Sequence, residues 1–174
     1  DNVIHVAGKV DPISDIEVIQ TELCLADLAT VEKTLARSTK QAKAGGDKEA
    51  LRLVEVLKKC DAALNEGRPV RSIDFSKEEL VVLKPMCLIT AKPAMFVGNV
   101  AEDGFENNPF LKRLREYAAR QNAPVVAICA KTEAELSEMG DEDRLMFLQE
   151  MGQDEPGLNR LIRAAFKLLG LQTY

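Results

Sequence analysis

Ala94-Met-Phe-Val-Gly-Asn-Val-Ala-Glu102 decides how the rest of the chain is read. Pro93 bounds the stretch, Met95, Phe96 and Val97 make a short apolar run, and Gly98-Asn99 ends it. An apolar run closed by Pro and Gly, then followed by a loop and a helix, is the pattern of a buried strand in a parallel α/β sheet. A second such run is Pro124-Val-Val-Ala-Ile-Cys129. Between them Asn108-Pro109 opens a helix, with Asn as cap and Pro at the first position. Its inner face holds Phe110, Leu111, Leu114, Tyr117 and Ala118. Strand, helix, strand in this order is a right-handed βαβ unit with both strands in one sheet. Ligands of open α/β sheets sit just past the carboxyl ends of the strands. Asn99 and Glu102 follow the first strand there, and Cys129-Ala130 ends the second.

The residue types at that edge suit a purine. Guanine shows two donors, N1–H and the N2 amino group, and one Asp carboxylate can accept both. Adenine shows an acceptor, N1, beside one amino donor, N6, and both purines offer N7 to an Asn amide. Asn99-Val-Ala-Glu102 has the form of an N-K-x-D base loop with Val100 for Lys and Glu102 for Asp. Val100 supplies a smaller apolar contact than a Lys stem. Glu102 is one methylene longer than Asp, so its carboxylate cannot take the Asp position and can instead accept from adenine N6. ATP is then favoured, or both purines are accepted. In the second loop, at Cys129-Ala130, a small residue offers a backbone N–H to the base. On spacing alone N-x-x-E is common, and a loop Asn beside a surface Glu reads equally well.

The first half of the chain is helical in pattern. Ser14 or Asp15 can cap a helix carrying Ile16, Ile19, Leu23 and Ala26 at spacings of three and four, continued after a drift in phase by Leu28, Val31 and Leu35. That is the seam of a helix packed on another helix, roughly 45 Å long if unbroken to Gly45-Gly46. Asp47 then caps a second helix with Leu53, Leu57, Cys60 and Leu64 as its seam, closing an antiparallel hairpin or short coiled coil. The tip is basic, with Lys33, Arg37, Lys40, Lys43 and Lys48. A solvated helix surface explains such a cluster, and so does contact with RNA phosphates or an acidic partner. Beyond Gly67-Arg-Pro69, Ser76-Lys-Glu-Glu79 is a capping box for a short helix with Leu80, Val82 and Leu83 on its apolar side. Two short helices are expected between Glu133 and Glu155. A last one follows Glu155-Pro156, with Leu158, Leu161, Ile162, Ala165, Phe166 and Leu169 lying flat on the sheet.

Composition narrows the class. At 46% hydrophobic and 29% charged residues the chain is an ordinary globular one. No run approaches the ~20 apolar residues of a membrane span. A net charge of −5 speaks against a protein that coats nucleic acid with its whole surface. Cys24, Cys60, Cys87 and Cys129 lie far apart and read as reduced thiols of a cytosolic protein. His5 is the only histidine, which leaves a His-based metal site or a Ser-His-Asp triad little to work with, and it falls in a short strand or loop near Val3. A start at Asp1 and an apolar end at Leu168–Tyr174 read as the ends of an internal piece of a longer polypeptide.

Several longer strings carry a family resemblance. They are Asp15-Ile-Glu-Val-Ile with Thr21-Glu-Leu-Cys-Leu-Ala-Asp-Leu28, Ala44-Gly-Gly-Asp-Lys48, Lys92-Pro, and Asn99 through Pro109. Glu155-Pro-Gly-Leu-Asn-Arg160 and Leu171-Gln-Thr-Tyr174 complete the set. Over essentially its whole length the chain resembles the Obg-like ATPases, the YchF family of the translation-factor class of P-loop proteins. The resemblance implies a cytoplasmic, ribosome-binding hydrolase of ATP in preference to GTP, with the large subunit as its ribosomal partner and a TGS domain further on. Asn99, Val100 and Glu102 would be the altered fourth GTPase motif and Cys129-Ala130 the fifth. Residues 1–14 and 84–174 would belong to the nucleotide domain, and 15–83 to an inserted coiled-coil arm with its return segment.

One departure matters more than the match. No G-x-x-x-x-G-K-[ST] string occurs, and that phosphate-binding part is needed for phosphoryl-transfer chemistry. The stretch is therefore expected to hold the base side of a nucleotide site and to be inactive alone, with the Mg²⁺ ligands outside it. The competing expectation is a non-catalytic protein- or RNA-binding module that works through the basic tip.

Overall fold

A computed structural model describes residues 10–45 and 48–172. Ser14–Lys92 forms one compact unit; Pro93 onward, with the residues before Ser14, forms the other. The short strand or loop around His5 and the cap at Asp47 lie outside the described residues.

In the first unit, α1 runs from Pro12 to Lys43 over 32 residues. It starts ahead of the expected Ser14 or Asp15 cap, with Pro12 in the first-turn position where its missing N–H costs nothing. A turn through Gly45, whose φ of 98° suits glycine, leads to α2, Lys48–Asn65. The Gln20 side-chain amide reaches the Gly67 carbonyl, so the start of α1 lies beside the end of α2 and the two helices are antiparallel. Cys24 and Val31 share one buried cluster with Val56, Leu57, Cys60 and Leu64.

That seam differs from the expected one on α1. Cys24, Asp27, Val31 and Ser38 are buried, whereas Ile19 is 56% exposed and Ala26 lies on the surface. Leu28, Val31 and Leu35 lie on the core side as expected, while nearer the start of α1 the face is shifted because buried Asp27 is polar and breaks the apolar pattern. On α2, burial widens beyond the expected seam to Val54, Val56 and Ala63. A second layer accounts for part of the widening, since α3, Lys77–Leu83, packs on α2. The Ser76–Glu79 capping box forms: Glu79 N–H donates to Ser76 Oγ at 3.2 Å and Ser76 N–H to Glu79 Oε2 at 2.8 Å. Leu83 is buried as expected, but Leu80 is 50% exposed.

The return segment 84–92 goes with this helical unit, not with the sheet, which corrects the expected boundary at 84. Asp27 holds it. The buried carboxylate accepts from Ile89 N–H at 2.9 Å, Thr90 N–H at 2.7 Å and Thr90 Oγ–H at 2.6 Å. Thr90 Oγ in turn accepts from Val70 N–H at 3.1 Å. A buried carboxylate is tolerated where hydrogen bonds replace its water, and these do so. Burial raises the Cys24 thiol above its ordinary pKa, with Asp27 adding to the effect, and pushes Cys60 up to about 11. Both are inert core thiols.

The second unit contains the sheet. Strand β1, Phe96–Asn99, pairs in parallel with β2, Val125–Ile128, in the register Phe96 with Val125 through Asn99 with Ile128. Helix α4, Pro109–Arg120, connects them and buries Leu111, Leu114 and Ala118. Asn108 caps it as expected, its Oδ1 accepting from Phe110 N–H at 3.0 Å and Leu111 N–H at 3.1 Å. Phe110 instead is 42% exposed, because it lies to one side of the face centred on Leu111, Leu114 and Ala118. Tyr117 meets Phe96 edge-on with ring centroids 5.8 Å apart. The expected burial of β1 is only partial: its residues alternate, and Val97 is 43% exposed.

Three helices follow: α5 (Ala130–Glu138), α6 (Asp141–Glu150) and α7 (Gly157–Leu169). Arg144 joins the first two, donating to the Leu136 and Met139 carbonyls at 3.0 Å each. Helix α7 packs beside β2. It does not bury the whole face assigned to it, since Leu158, Ile162 and Leu169 are 52%, 47% and 60% exposed.

Candidate nucleotide-base site

The parallel register brings the two loops together. Because Asn99 lies opposite Ile128, the residues after each strand leave the sheet side by side. Val100 N–H donates to the Ile128 carbonyl at 2.8 Å, so the backbone is held for one residue past β1. Asn99 Oδ1 then accepts from Ala130 N–H at 3.0 Å, the first amide of α5. This bond uses one of the unpaired donors of a helix start and fixes the Asn99 side chain. It also fixes which end of the amide points away: the NH₂ group, two donors, is left for an acceptor beyond the strands.

The chain then turns tightly, with Gly104 N–H bonded to the Ala101 carbonyl at 2.8 Å. A Cβ on Gly104 would lie 3.1 Å from Ala101 N, Ala101 O and Val100 Cβ, closer than such atoms sit without movement. The turn carries Glu102 back toward α5, where its Oε1 accepts from Lys131 Nζ at 2.8 Å. That hydrogen bond raises the Lys131 pKa above its ordinary value, with the Coulombic pull of Glu102 second. Lys131 thus stays cationic, and Glu135 is a further acid 3.8 Å away.

Asn99, Val100, Glu102, Cys129 and Ala130 therefore meet at one end of the sheet. Two features refine their roles. Ala130 N–H, expected to face a base, is already bonded to Asn99, which leaves the next amides of α5 as the open donors. Cys129 is 3% exposed and serves as a packed residue under the loop, not a contact on it. Sequence reasoning assigned no role to Lys131. A lone cation three residues past a strand has no signal of its own, because its partner is 29 residues earlier.

The string Glu155–Arg160 behaves as a fastening. Glu133, in the first turn of α5, accepts Gly157 N–H on Oε1 at 2.7 Å and Leu158 N–H on Oε2 at 3.0 Å. It caps α7 from another helix. Arg160 donates to the Ala127 carbonyl at 3.2 Å, on the open edge of β2, and lies 5.9 Å over the Phe105 ring. A cavity of about 710 Å³ adjoins it, bordered by Glu102, Asp103, Phe105 and Arg115. It shares Glu102 with the base loops, but neither Asn99 nor Ala130 borders it.

In the helical unit, Lys33, Arg37, Lys40, Lys43 and Lys48 are all exposed. Lys33, Arg37 and Lys40 fall on one stripe of α1, opposite buried Val31 and Ser38. Among the described residues none of the five has an ion-pair partner.

Comparison with known proteins shows what the chain is similar to. The chain is 52% identical over 174 residues to a ribosome-binding ATPase YchF of Escherichia coli O157:H7, matching all of this chain and 48% of that protein. The chain is a homologue of the YchF proteins. The Bacillus subtilis YchF is 46% identical over 177 residues, again across the whole chain. The solved YchF GTPase of Schizosaccharomyces pombe superposes with a TM-score of 0.83 at 25% identity, covering 97% of this chain and 47% of that one. The chain thus spans about half the length of the YchF relatives it matches. No protein-family model matches it. One YchF relative is named for ATP and another for GTP, so the name alone leaves the base open.

Proposed function

We propose that this chain supplies the base-recognition side of a cytoplasmic, ribosome-associated nucleotide hydrolase that converts ATP to ADP and phosphate. The observation that carries the reading is the Asn99–Ala130 hydrogen bond. It aims the Asn99 NH₂ group outward at the end of two parallel strands, where a purine N7 can accept from it. Val100 would lie against the ring, and Glu102 would accept from adenine N6. No helix of the described residues is long and apolar enough to cross a membrane. Among those residues no group of three His, Cys, Asp or Glu could hold a metal ion. This reading assigns the phosphate grip and the Mg²⁺ ligands to other segments.

Titrating the protein expressed from its complete reading frame with ATP and GTP side by side tests the reading. ATP should bind more tightly, and the purified 174-residue chain should show no ATP turnover above buffer. Equal affinity for both purines would remove the adenine assignment, and turnover by the short chain would remove the division of labour.

The unpaired cations of α1 favour a second role for the helical unit, contact with phosphates of ribosomal RNA. Lys40→Glu combined with Lys43→Glu should weaken ribosome binding. It should also flatten the salt dependence, by close to one unit of slope for each phosphate that the arm no longer neutralises. An unchanged slope would leave these residues as a solvated surface.

A further inference from the structure

We infer that Lys131 sets which purine the Asn99–Glu102 loop prefers, an inference that rests on the base-site reading above. Its ammonium, carried by the first turn of α5 where the second loop ends, stands 2.8 Å from Glu102 Oε1 on the first loop. The two loops together thus offer an acceptor and a cationic donor side by side. Adenine carries the complement, an N6 amino donor next to the N1 acceptor. With N7 held by Asn99 and Glu102 facing position 6, the ammonium meets N1.

Guanine reverses the order. Its position 6 is an acceptor and its N1–H a donor, so carboxylate would face carbonyl and ammonium would face N–H. The second guanine donor, the N2 amino group, gains nothing from an ammonium, which cannot accept. A free carboxylate could still turn both oxygens to N1–H and N2, as Asp does in N-K-x-D. Lys131 occupies one of those oxygens. Discrimination therefore comes from the pair, not from the extra methylene of Glu102 alone. The aliphatic stem of Lys131 spans the gap between the loops and can cover a ring face, which Val100 is too short to do.

Lys131 and Glu102 have side chains 71% and 49% exposed, so substitution at Lys131 does not threaten the fold. The experiment measures ATP and GTP affinities for four proteins expressed from the complete reading frame: unchanged, Lys131→Met, Lys131→Arg and Asn99→Asp. Asn99→Asp keeps an acceptor for Ala130 N–H but loses the N7 donor, and it should weaken both nucleotides. Lys131→Met should move the ATP-to-GTP affinity ratio toward GTP by about tenfold, the worth of one hydrogen bond to a charged group. Lys131→Arg should hold the original ratio. If Asn99→Asp weakens both nucleotides while Lys131→Met leaves the ratio unchanged, the role of Lys131 is overturned and the base site stands. If Asn99→Asp changes neither affinity, the base site falls and the inference with it.

Discussion

Replacing Asp27 by alanine is expected to open the base of the helical unit. Its carboxylate accepts three hydrogen bonds, and it is 3% exposed. Loss of the side chain strands Ile89 N–H, Thr90 N–H and the Thr90 hydroxyl in an interior where water enters poorly. Charge-assisted bonds to a buried carboxylate are the strong kind, and breaking such a group costs about 3–5 kcal/mol. For a unit of this size that corresponds to a fall of roughly 20 °C in its melting temperature. Amide exchange gives a local readout, with Ile89 and Thr90 protected in the unchanged chain and fast in the variant. Asp27→Asn should fall between, since it keeps one acceptor but turns an NH₂ toward backbone donors. Slow exchange at Ile89 and Thr90 in the alanine variant would show that the carboxylate does not hold the segment.

Gly157→Ala should destabilise α7, against the usual rule for helices. A glycine in a helix gains up to about 1 kcal/mol on change to alanine through backbone entropy. Here the new Cβ would lie 2.7 Å from Glu133 Oε1, 3.1 Å from Ile128 Cγ2 and 3.3 Å from Arg160 Nη2. The carboxylate can swing away only by releasing the Gly157 and Leu158 amides it caps. A broken cap costs about 1 kcal/mol and overpacking about 1–3 kcal/mol, so the clash outweighs the entropy gain. Chemical denaturation of single and double variants measures this. Combined with Glu133→Ala, the Gly157→Ala change should cost less than it does alone, because the two share one contact. Strict additivity would exclude the contact as the cause.

The parts of the chain legible from sequence are those whose partners are local. The Ser76–Glu79 capping box and the Asn108 cap were readable because donor and acceptor are two or three residues apart. The two strands were readable from short apolar runs that each follow a Pro. Asn99 was readable because a strand end is a known address for polar residues in an α/β sheet. Asp27 was not, since its partners are 62 and 63 residues away and an Asp on a helix looks like surface. The same long range hid the Glu102–Lys131 pair and misassigned residues 84–92. On α7 the apolar pattern was correct and its burial was not, because periodicity shows which side is apolar and not how much of it is covered.

The Asp27 tie gives the helical unit one fixed point part-way along α1. Lys43 lies about 24 Å along the helix axis from Asp27, counting 1.5 Å per residue. The charged end of α1 is therefore well separated from the level where one carboxylate grips Ile89 and Thr90.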